Sequence, residues 1–361
     1  MEKFLKDIWY PEKDHDFNPV HLFLSLPALM YSSAIRLRNL SYDHGLLGQK
    51  SLRCPVISVG NLTVGGTGKT PMVIHLAGLL GGWGLKPAVL SRGYGGRSTK
   101  EVNVVSDGRS ILSGPDECGD EPFLLARRLP TVPVLTGPRR AVTGQYALSH
   151  FGTDVVILDD GFQHRSLRRD IDIVLMDSRH PLGNGHLIPR GPLREPFSSL
   201  RRADLFVLTR AAKDGKTPFE SRLAEELPSI PVFTSCHRPG RLMEGDGISR
   251  PLSDLAGRKI YAFAGVARPD SFRESIESLQ GVIAGFRAFS DHHRYGLGDI
   301  ADMEKEAGSL GAELILTTEK DGVKLTPYGE FANRVWTLGV DLEIIGEEER
   351  FATLIRKKLN I

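Results

Sequence analysis

The sequence predicts an α/β protein with a doubly wound, mostly parallel sheet, followed by a second, smaller α/β domain. A glycine-rich loop lies at 58–71, between a short apolar run and a helical pattern. After this loop, short continuous apolar runs alternate with helical patterns, which is typical of parallel strands covered by helices on both faces. A polar stretch at 235–255 precedes a further set of alternating elements, which predicts the second domain.

The loop at 58–71 reads SVGNLTVGGTGKTP and follows a predicted buried strand at 55–59. Glycines at such a junction let backbone N–H groups surround phosphate oxygens at the start of the next helix, here 72–80. Lys69 is expected to reach the β- and γ-phosphates, and the Thr70 hydroxyl to ligate Mg²⁺. Thr63 stands where the general pattern has its first glycine. We predict a P-loop NTPase-like core that binds ATP or GTP through Thr63, Val64, Gly65, Gly66, Thr67, Gly68, Lys69 and Thr70.

The remaining elements follow from apolar runs and their boundaries. Strands are predicted at 86–90, 102–105, 132–135, 154–158, 171–176 and 205–209, and a helix at 120–129. Beyond the polar stretch, strands are predicted at 259–263, 281–286, 313–317 and 334–338, and helices at 271–279, 297–310 and 348–359. The predicted division is an N-terminal segment 1–53, a kinase-like core 54–235, a linker 236–255 and a smaller domain 256–361.

Composition excludes several classes. A net charge of +2 without a basic, aromatic-rich run gives no reason to expect nucleic-acid binding. Three separated cysteines suggest neither a zinc site nor a disulfide framework and fit a reducing cytosol. The apolar run 20–31 carries Pro27 and is too short to span a bilayer. The longer segment 20–42 continues with further apolar residues and is accompanied by Arg36, Arg38, Lys50 and Arg53. It either lies in a membrane interface or packs on its own domain.

Carboxylates, histidines and arginines mark the candidate chemistry. Asp159 and Asp160 end an apolar strand in the manner of a Walker B motif, where one of them could hold Mg²⁺. Asp120 and Glu121 open a predicted helix and are either its first-turn acids or functional groups. His292 and His293 follow Asp291, an arrangement suited to proton transfer. Arg190 and Arg194, on a rigid proline- and glycine-rich turn, are candidates for phosphate recognition. The motif TTEKD at 317–321 differs in spacing from the guanine-reading signature, which argues against GTP.

Taken in order, these motifs resemble the tetraacyldisaccharide 4'-kinase (lipid A 4'-kinase) family over about 19–338. The resemblance rests on GNLTVGGTGKTP at 60–71, SRGY at 91–94, GDEP at 119–122, DDGFQH at 159–164, LREP at 193–196, FSDHH at 289–293 and TTEKD at 317–321. The Thr63 departure is usual in that family.

The resemblance implies transfer of the γ-phosphate of ATP to the 4'-hydroxyl of an acylated glucosamine disaccharide 1-phosphate, giving lipid IVA, with Mg²⁺. It implies a peripheral enzyme at the cytoplasmic face of the inner membrane, without nucleic acid and without an obligate protein partner. Such a substrate favours membrane contact by 20–42, because four acyl chains do not leave a bilayer readily.

By the same resemblance, Asp120 and a histidine form a dyad that activates the hydroxyl. His292 is the expected member, with His293 left open. Sugar and phosphate contacts fall on Asn61, Arg92, Tyr94 and Arg140, while Asp159 and Asp160 arrange Mg²⁺ near the catalytic Lys69. Because the histidine lies in the second domain, catalysis is expected to need domain closure. Two rival functions remain open from the residues alone: a P-loop switch or assembly ATPase, and a kinase of a soluble sugar or nucleotide.

Overall fold

The structure is a computed structural model that describes residues 8–10, 20–211, 217–245 and 247–361. Its helices are α1 (Val20–Asp43), α2 (Lys69–Gly82), α3 (Pro115–Cys118), α4 (Asp120–Arg128), α5 (Arg140–Phe151), α6 (Pro218–Glu226), α7 (Pro269–Ser278), α8 (Leu297–Ser309), α9 (Glu319–Lys324), α10 (Gly329–Arg334) and α11 (Glu348–Leu359). Its strands are β1 (Val56–Asn61), β2 (Pro87–Ser91), β3 (Asn103–Asp107), β4 (Pro133–Thr136), β5 (Val155–Asp159), β6 (Ile171–Asp177), β7 (Leu205–Thr209), β8 (Val232–Glu244), β9 (Ile248–Arg250), β10 (Lys259–Ala264), β11 (Val282–Ala288), β12 (Leu314–Thr318) and β13 (Val335–Ile344).

Within the described ranges, one sheet contains all thirteen strands, in the order β11-β10-β12-β13-β8-β7-β6-β1-β5-β2-β4-β3, with β9 paired to β8. We call β1 to β7 and the helices packed on them the N-terminal lobe. We call β10 to β12 with α7 to α10 the C-terminal lobe. In the N-terminal lobe only β3 is antiparallel to its neighbour, so the predicted mostly parallel sheet is confirmed.

The central strands are buried on both faces, which explains their continuous apolar sequences. In β1, Ile57 and Val59 pack towards α2 and α4, while Val56 faces the opposite core with Ala147 of α5. Helices therefore cover both faces of the sheet, as a doubly wound fold requires. The predicted strands of this lobe agree with the observed ones to within one or two residues.

Strand β8 connects the lobes. Its first residues pair in parallel with β7, from Phe206 opposite Val232 to Leu208 opposite Thr234. The rest pairs antiparallel with β13, from Ser235 opposite Ile344 to Glu244 opposite Trp336. The interval 236–255, for which we predicted a linker, therefore contains most of this strand, β9 and a 3-10 helix at Leu252–Leu255. The sequence of this interval is polar because β8 and β9 are partly exposed here.

The last helix returns to the N-terminal lobe. Phe351, Ile355 and Leu359 of α11 lie in the same hydrophobic core as Leu76 of α2. His75 of α2 also pairs with Glu348, at 3.0 Å between Nε2 and Oε1. The C-terminal part of the predicted domain 256–361 thus contributes to the core of the other lobe, and the domain boundaries themselves stay a prediction.

Helix α1 lies against the loop after β6, where the Tyr31 hydroxyl donates to the Arg194 carbonyl at 2.9 Å. The Asn39 amide donates to the fully buried carboxylate of Glu195 at 2.7 Å. The predicted N-terminal segment 1–53 contains this helix, but 1–7 and 11–19 lie outside the described residues. In the part of the chain that the structure describes, no helix combines the length and hydropathy needed to cross a bilayer.

Candidate active site

The phosphate-binding loop connects the end of β1 at Asn61 to the start of α2 at Lys69. Glycine is required at Gly65, whose φ is +116°, at Gly68, and at Gly60 in β1 just before the loop. Gly68 has a φ of +86°, and a Cβ atom there would lie 2.7 Å from Nε2 of His237. A Cβ atom on Gly60 would lie 2.5 Å from Cβ of Phe162, so any larger residue in this position of the strand would clash with Phe162. The loop therefore has the strand-to-helix setting that phosphate binding needs.

Hydrogen bonds to residues elsewhere in the N-terminal lobe hold this loop in place. The Thr209 hydroxyl donates to the Thr67 carbonyl at 3.0 Å, and Arg210 donates to the Gly66 carbonyl at the same distance. The Val64 amide donates to the Pro192 carbonyl at 2.8 Å. These bonds fix the loop before any nucleotide is bound.

Lys69 lies between the ends of β1 and β5. Its Nζ donates to Oδ1 of Asn61 at 3.2 Å and lies 3.6 Å from Oδ1 of Asp160. Arg194 donates to both Asp160 oxygens, at 2.8 and 3.0 Å. Burial alone would raise the pKa of Asp160, but the charges of Lys69 and Arg194 lower it to about 2. Asp160 is thus a carboxylate balanced by two cations.

Asp159 has different surroundings although it is the adjacent residue. Its Oδ2 accepts from the Ser91 hydroxyl at 3.0 Å, whereas its buried Oδ1 has no hydrogen-bond partner. Burial, with the nearby charges of Glu121 and Asp160, raises the pKa of Asp159 to about 7. A cation bound at Oδ1 would give this oxygen a partner and would reduce the repulsion between Asp159 and the carboxylates of Glu121 and Asp160.

The predicted dyad is brought together across the two lobes. Oδ2 of Asp120, at the start of α4, lies 3.9 Å from Nδ1 of His292 in the C-terminal lobe. Burial acts to raise the pKa of Asp120, but the interaction with His292 and the charge of Lys324 outweigh it and hold the pKa below its usual range. His292 has a φ of +59°, a strained value for a non-glycine residue and one that functional sites often contain.

The second histidine has a separate partner. Nε2 of His293 lies 3.0 Å from Oδ2 of Asp299, which itself accepts from the Gly296 amide at the start of α8. Its ring stacks on Phe289 at 4.6 Å between centroids. Of the two histidines that the sequence left open, His292 therefore faces Asp120.

The predicted substrate-binding residues fall into different environments. Asn61 is fully buried. Its side-chain oxygen accepts a hydrogen bond from the Lys69 ammonium, and its side-chain nitrogen donates one to the Thr63 carbonyl. Tyr94 is exposed, and its ring meets that of His292 edge to face, with 6.1 Å between the ring centroids. Arg190 lies on the same loop as Arg194, and its backbone carbonyl accepts a hydrogen bond from the side-chain amide of Asn184.

Arg140, at the start of α5, is a buried cation with weak contacts. Its side chain is 4% exposed, and its Nη1 lies 3.5 Å from the carbonyls of Gly137 and Pro138. Burial and the charge of Arg92 lower the pKa of Arg140 to about 10, against the opposing effect of Asp159 and Asp160. Arg140 is therefore near the two aspartates and poorly neutralised, as an anion-binding residue would be.

Comparisons with known proteins agree with this geometry. The model of the family described as tetraacyldisaccharide-1-P 4'-kinase (LpxK) matches residues 20–360. The chain belongs to this kinase family. A tetraacyldisaccharide 4'-kinase from Syntrophus aciditrophicus is 48% identical over 92% of this chain and 91% of its own. One from Anaeromyxobacter dehalogenans (strain 2CP-C) is 42% identical, covering 94% and 92%.

A solved structure has the same fold. It is described as the "apo" form of LpxK from Aquifex aeolicus in complex with ATP, and it is similar with a TM-score of 0.74 at 33% identity. The match covers 94% of this chain and 99% of that one. The predicted P-loop kinase fold, the kinase activity and the use of ATP with Mg²⁺ are thereby confirmed.

In this member of the kinase family, two charged residues beside the dyad were not assigned from sequence. Nζ of Lys320, on α9, lies 3.1 Å from Oε1 of Glu121. Burial opposes ionisation of Glu121, but the charges of Lys320 and Lys69 lower its pKa. Both residues stand in motifs noted above, GDEP and TTEKD. Their positions in these motifs mark both residues as candidates, but the motifs do not indicate that the two side chains are in contact.

Proposed function

We propose that this protein transfers the γ-phosphate of ATP to the 4'-hydroxyl of a tetraacylated glucosamine disaccharide 1-phosphate, giving lipid IVA. The family supplies the reaction class, and the relatives' names supply the substrate. One observation of this chain supports the proposal above others. The charge of Lys69 acts on Glu121, and Glu121 is the neighbour of the dyad residue Asp120. The phosphate loop and the dyad are thus electrostatically linked through Glu121.

Asp159 and Thr70 fit a magnesium ion. Among the described residues no group of three or more His, Cys, Asp or Glu side chains is arranged to hold a metal. Mg²⁺ does not need one, because it commonly uses one or two carboxylates, water and the phosphates of the substrate. The unpartnered Oδ1 of Asp159 is the suitable ligand, and the ion would neutralise charge on the phosphates. Asp160 is paired with Lys69 and Arg194, which favours a role in placing Lys69.

Asp120 and His292 are proposed to orient the acceptor hydroxyl and take its proton. Phosphoryl transfer depends mainly on positioning and charge neutralisation, so a carboxylate and imidazole beside the γ-phosphate site suffice. Arg92, Tyr94 and Arg140 are proposed to contact the sugar and its phosphate, with Arg190 and Arg194 on the opposite loop. The buried, poorly neutralised guanidinium of Arg140 supports this assignment most directly.

Helix α1 is proposed to bind the cytoplasmic face of the inner membrane. Seven large apolar side chains on it are 53 to 79% exposed: Leu22, Phe23, Leu26, Leu29, Met30, Leu37 and Leu40. Their spacing places most of them along one side of the helix. Arg36 on the helix is exposed, as are Lys50 and Arg53 in the segment that follows it, whereas Arg38 pairs with Glu195. An apolar helix face bordered by cations suits an interface with anionic lipid.

The kinase proposal is tested with γ-labelled ATP and the purified disaccharide 1-phosphate in detergent micelles. Label should enter the lipid fraction and be stable to removal of nucleotide. Brisk ATP hydrolysis without labelled lipid would favour the switch ATPase. Labelling of soluble sugars or nucleotides, with no need for detergent, would favour the soluble-substrate kinase.

The membrane proposal is tested by sedimentation with vesicles containing anionic phospholipid. Deleting α1 would uncover the buried Glu195, so point variants are preferable. The combined Leu22→Gln, Phe23→Gln and Leu26→Gln variant should sediment much less. A matched triple variant at exposed apolar residues away from α1, at Ile248 of β9, Val282 of β11 and Leu297 of α8, should sediment like the unmodified protein. Equal loss in both triples, or in neither, contradicts the proposal.

A further inference from the structure

Lys320 lies where the two lobes meet, and its ammonium contacts three functional groups. Nζ is 3.1 Å from Oε1 of Glu121, 3.6 Å from Oδ1 of Asp291 and 3.3 Å from Nε2 of His292. Glu121 belongs to α4 in the N-terminal lobe, whereas Asp291 and His292 belong to the C-terminal lobe. The lysine side chain is only 20% exposed. The position is therefore a junction between the lobes and the dyad.

The chemistry of an ammonium determines how His292 must be protonated in this arrangement. A lysine ammonium has three donors and no acceptor, so the ring nitrogen facing it must offer a lone pair. Nε2 is that nitrogen, which leaves the proton of the neutral imidazole on Nδ1. Nδ1 is the atom that faces Asp120, at 3.9 Å.

The lysine is held in its charged form by its neighbours. Burial disfavours the ammonium, but the carboxylates of Glu121 and Asp291 outweigh it and raise the pKa of Lys320. The groups that face His292 are thus Asp120 from α4, Lys320 from α9, Asp291 on its own loop and the Tyr94 ring. Lys320 is the cation in direct contact with the imidazole.

We propose that Lys320 is a positioning residue which selects the Nδ1–H tautomer of His292 and aims it at Asp120. The inference rests on the proposed function of the dyad. Lys320, Asp291 and His292 all belong to the C-terminal lobe, so the tautomer is selected within that lobe, while Glu121 holds the same ammonium from the N-terminal lobe. Nε2 then faces the Lys320 ammonium, and the carboxylate of Asp120 is the acceptor for the hydroxyl proton. The meeting of the lobes then completes the dyad, because Asp120 comes from the N-terminal lobe.

The proposal is tested on the full chain labelled with ¹⁵N-histidine. The chain has 11 histidines, so the His292 ring signals are assigned by their loss in a His292→Gln spectrum. The unmodified protein should show His292 protonated on Nδ1 and not on Nε2. In Lys320→Met the two tautomers should become mixed. Turnover should fall about 10- to 100-fold, the scale for losing a group that orients a functional histidine.

Arg128→Met is the matched control. Arg128 also joins the lobes, at 2.6 Å from Nη1 to Oε2 of Glu319, but it does not contact His292. It should leave the His292 signals unchanged and the pH profile of kcat/KM in place. In Lys320→Met the acidic limb of that profile should move to higher pH, because burial raises the pKa of Asp120 and the charge of Lys320 is among those that lower it. Lys320→Arg keeps the positive charge and should recover part of the loss.

Two results would overturn the proposal. One is an unchanged His292 tautomer in Lys320→Met, and the other is the same pH profile in Lys320→Met and Arg128→Met. Either would make Lys320 a structural link between the lobes. Neither outcome bears on whether the unmodified protein labels the lipid, so failure of the tautomer proposal is distinguishable from failure of the kinase proposal.

Discussion

Lys69 and His292 are proposed to act on neighbouring parts of the site, yet their surroundings are assembled differently. The contacts of the Lys69 ammonium, Asn61 and Asp160, both come from the N-terminal lobe. His292 is approached by Asp120 from the N-terminal lobe and by Lys320 from α9 in its own lobe. The contacts of Lys69 therefore come from one lobe, while the proposed acid–base dyad forms where the lobes meet. The difference implies that ATP binding and hydroxyl activation are separable.

The largest effect should come from Lys69→Met. Loss of the charge that faces the β- and γ-phosphates should lower kcat/KM for lipid labelling by about 10³-fold or more, because such charges stabilise the transition state directly. The exposed Lys305→Met in the other lobe is the control and should label lipid normally. Labelling by the Lys69 variant within tenfold of the unmodified protein would show that the loop is not the catalytic phosphate site.

The dyad variants come next. Asp120→Ala and His292→Ala should each reduce turnover about 10²-fold, the usual scale for a positioned acid or base. The double variant should be little worse than the worse single, because the two residues act as one unit. His293→Ala should lose much less, since that ring pairs with Asp299. A larger loss at His293 than at His292 in single-turnover assays would reverse the assignment.

Much of the N-terminal lobe is predictable from sequence because its evidence is local. The continuous apolar runs of β1, β5 and β7 gave their positions closely, and the loop carrying Lys69 is one contiguous motif. Helix α5 was not predicted, and most of β8 was taken for a linker because a partly exposed strand has a polar sequence. The fold class was thus predictable from the part of the sheet whose strands are buried on both faces.

The acid–base site was less predictable because its contacts are distant in sequence. Glu121 and Lys320 are 199 residues apart, and neither motif indicates the other. The choice between His292 and His293 depends on the left-handed backbone at His292 and on the Asp299 cap, both set by tertiary structure. Adjacent residues of one type cannot be distinguished by pattern alone.

The two adjacent aspartates should shift stability in opposite directions. The pKa of Asp159 is raised to about 7, so its ionisation costs the folded state stability as pH rises from about 4 to 7. The pKa of Asp160 is lowered to about 2, so its charge stabilises the fold throughout that range. At pH 8 with chelator, Asp159→Asn should raise Tm and Asp160→Asn should lower it, each by on the order of a few degrees. Shifts of the same sign in thermal melts would contradict this electrostatic account.

The smallest effect should come from the ion pair between Arg128 and Glu319, whose side chains are 9% and 13% exposed. The pair joins α4 to α9 at the end of α4 opposite Asp120, so its loss should loosen the meeting of the lobes and leave the Lys69 contacts intact. Arg128→Met should lower kcat about 3- to 10-fold, equivalent to roughly 1 kcal/mol, with ATP affinity unchanged by calorimetry. Glu319→Gln should behave alike, because it removes the other charge of the pair. If ATP affinity fell as far as turnover, the phosphate site would depend on closure as much as the dyad does, and the two sites would not be separable.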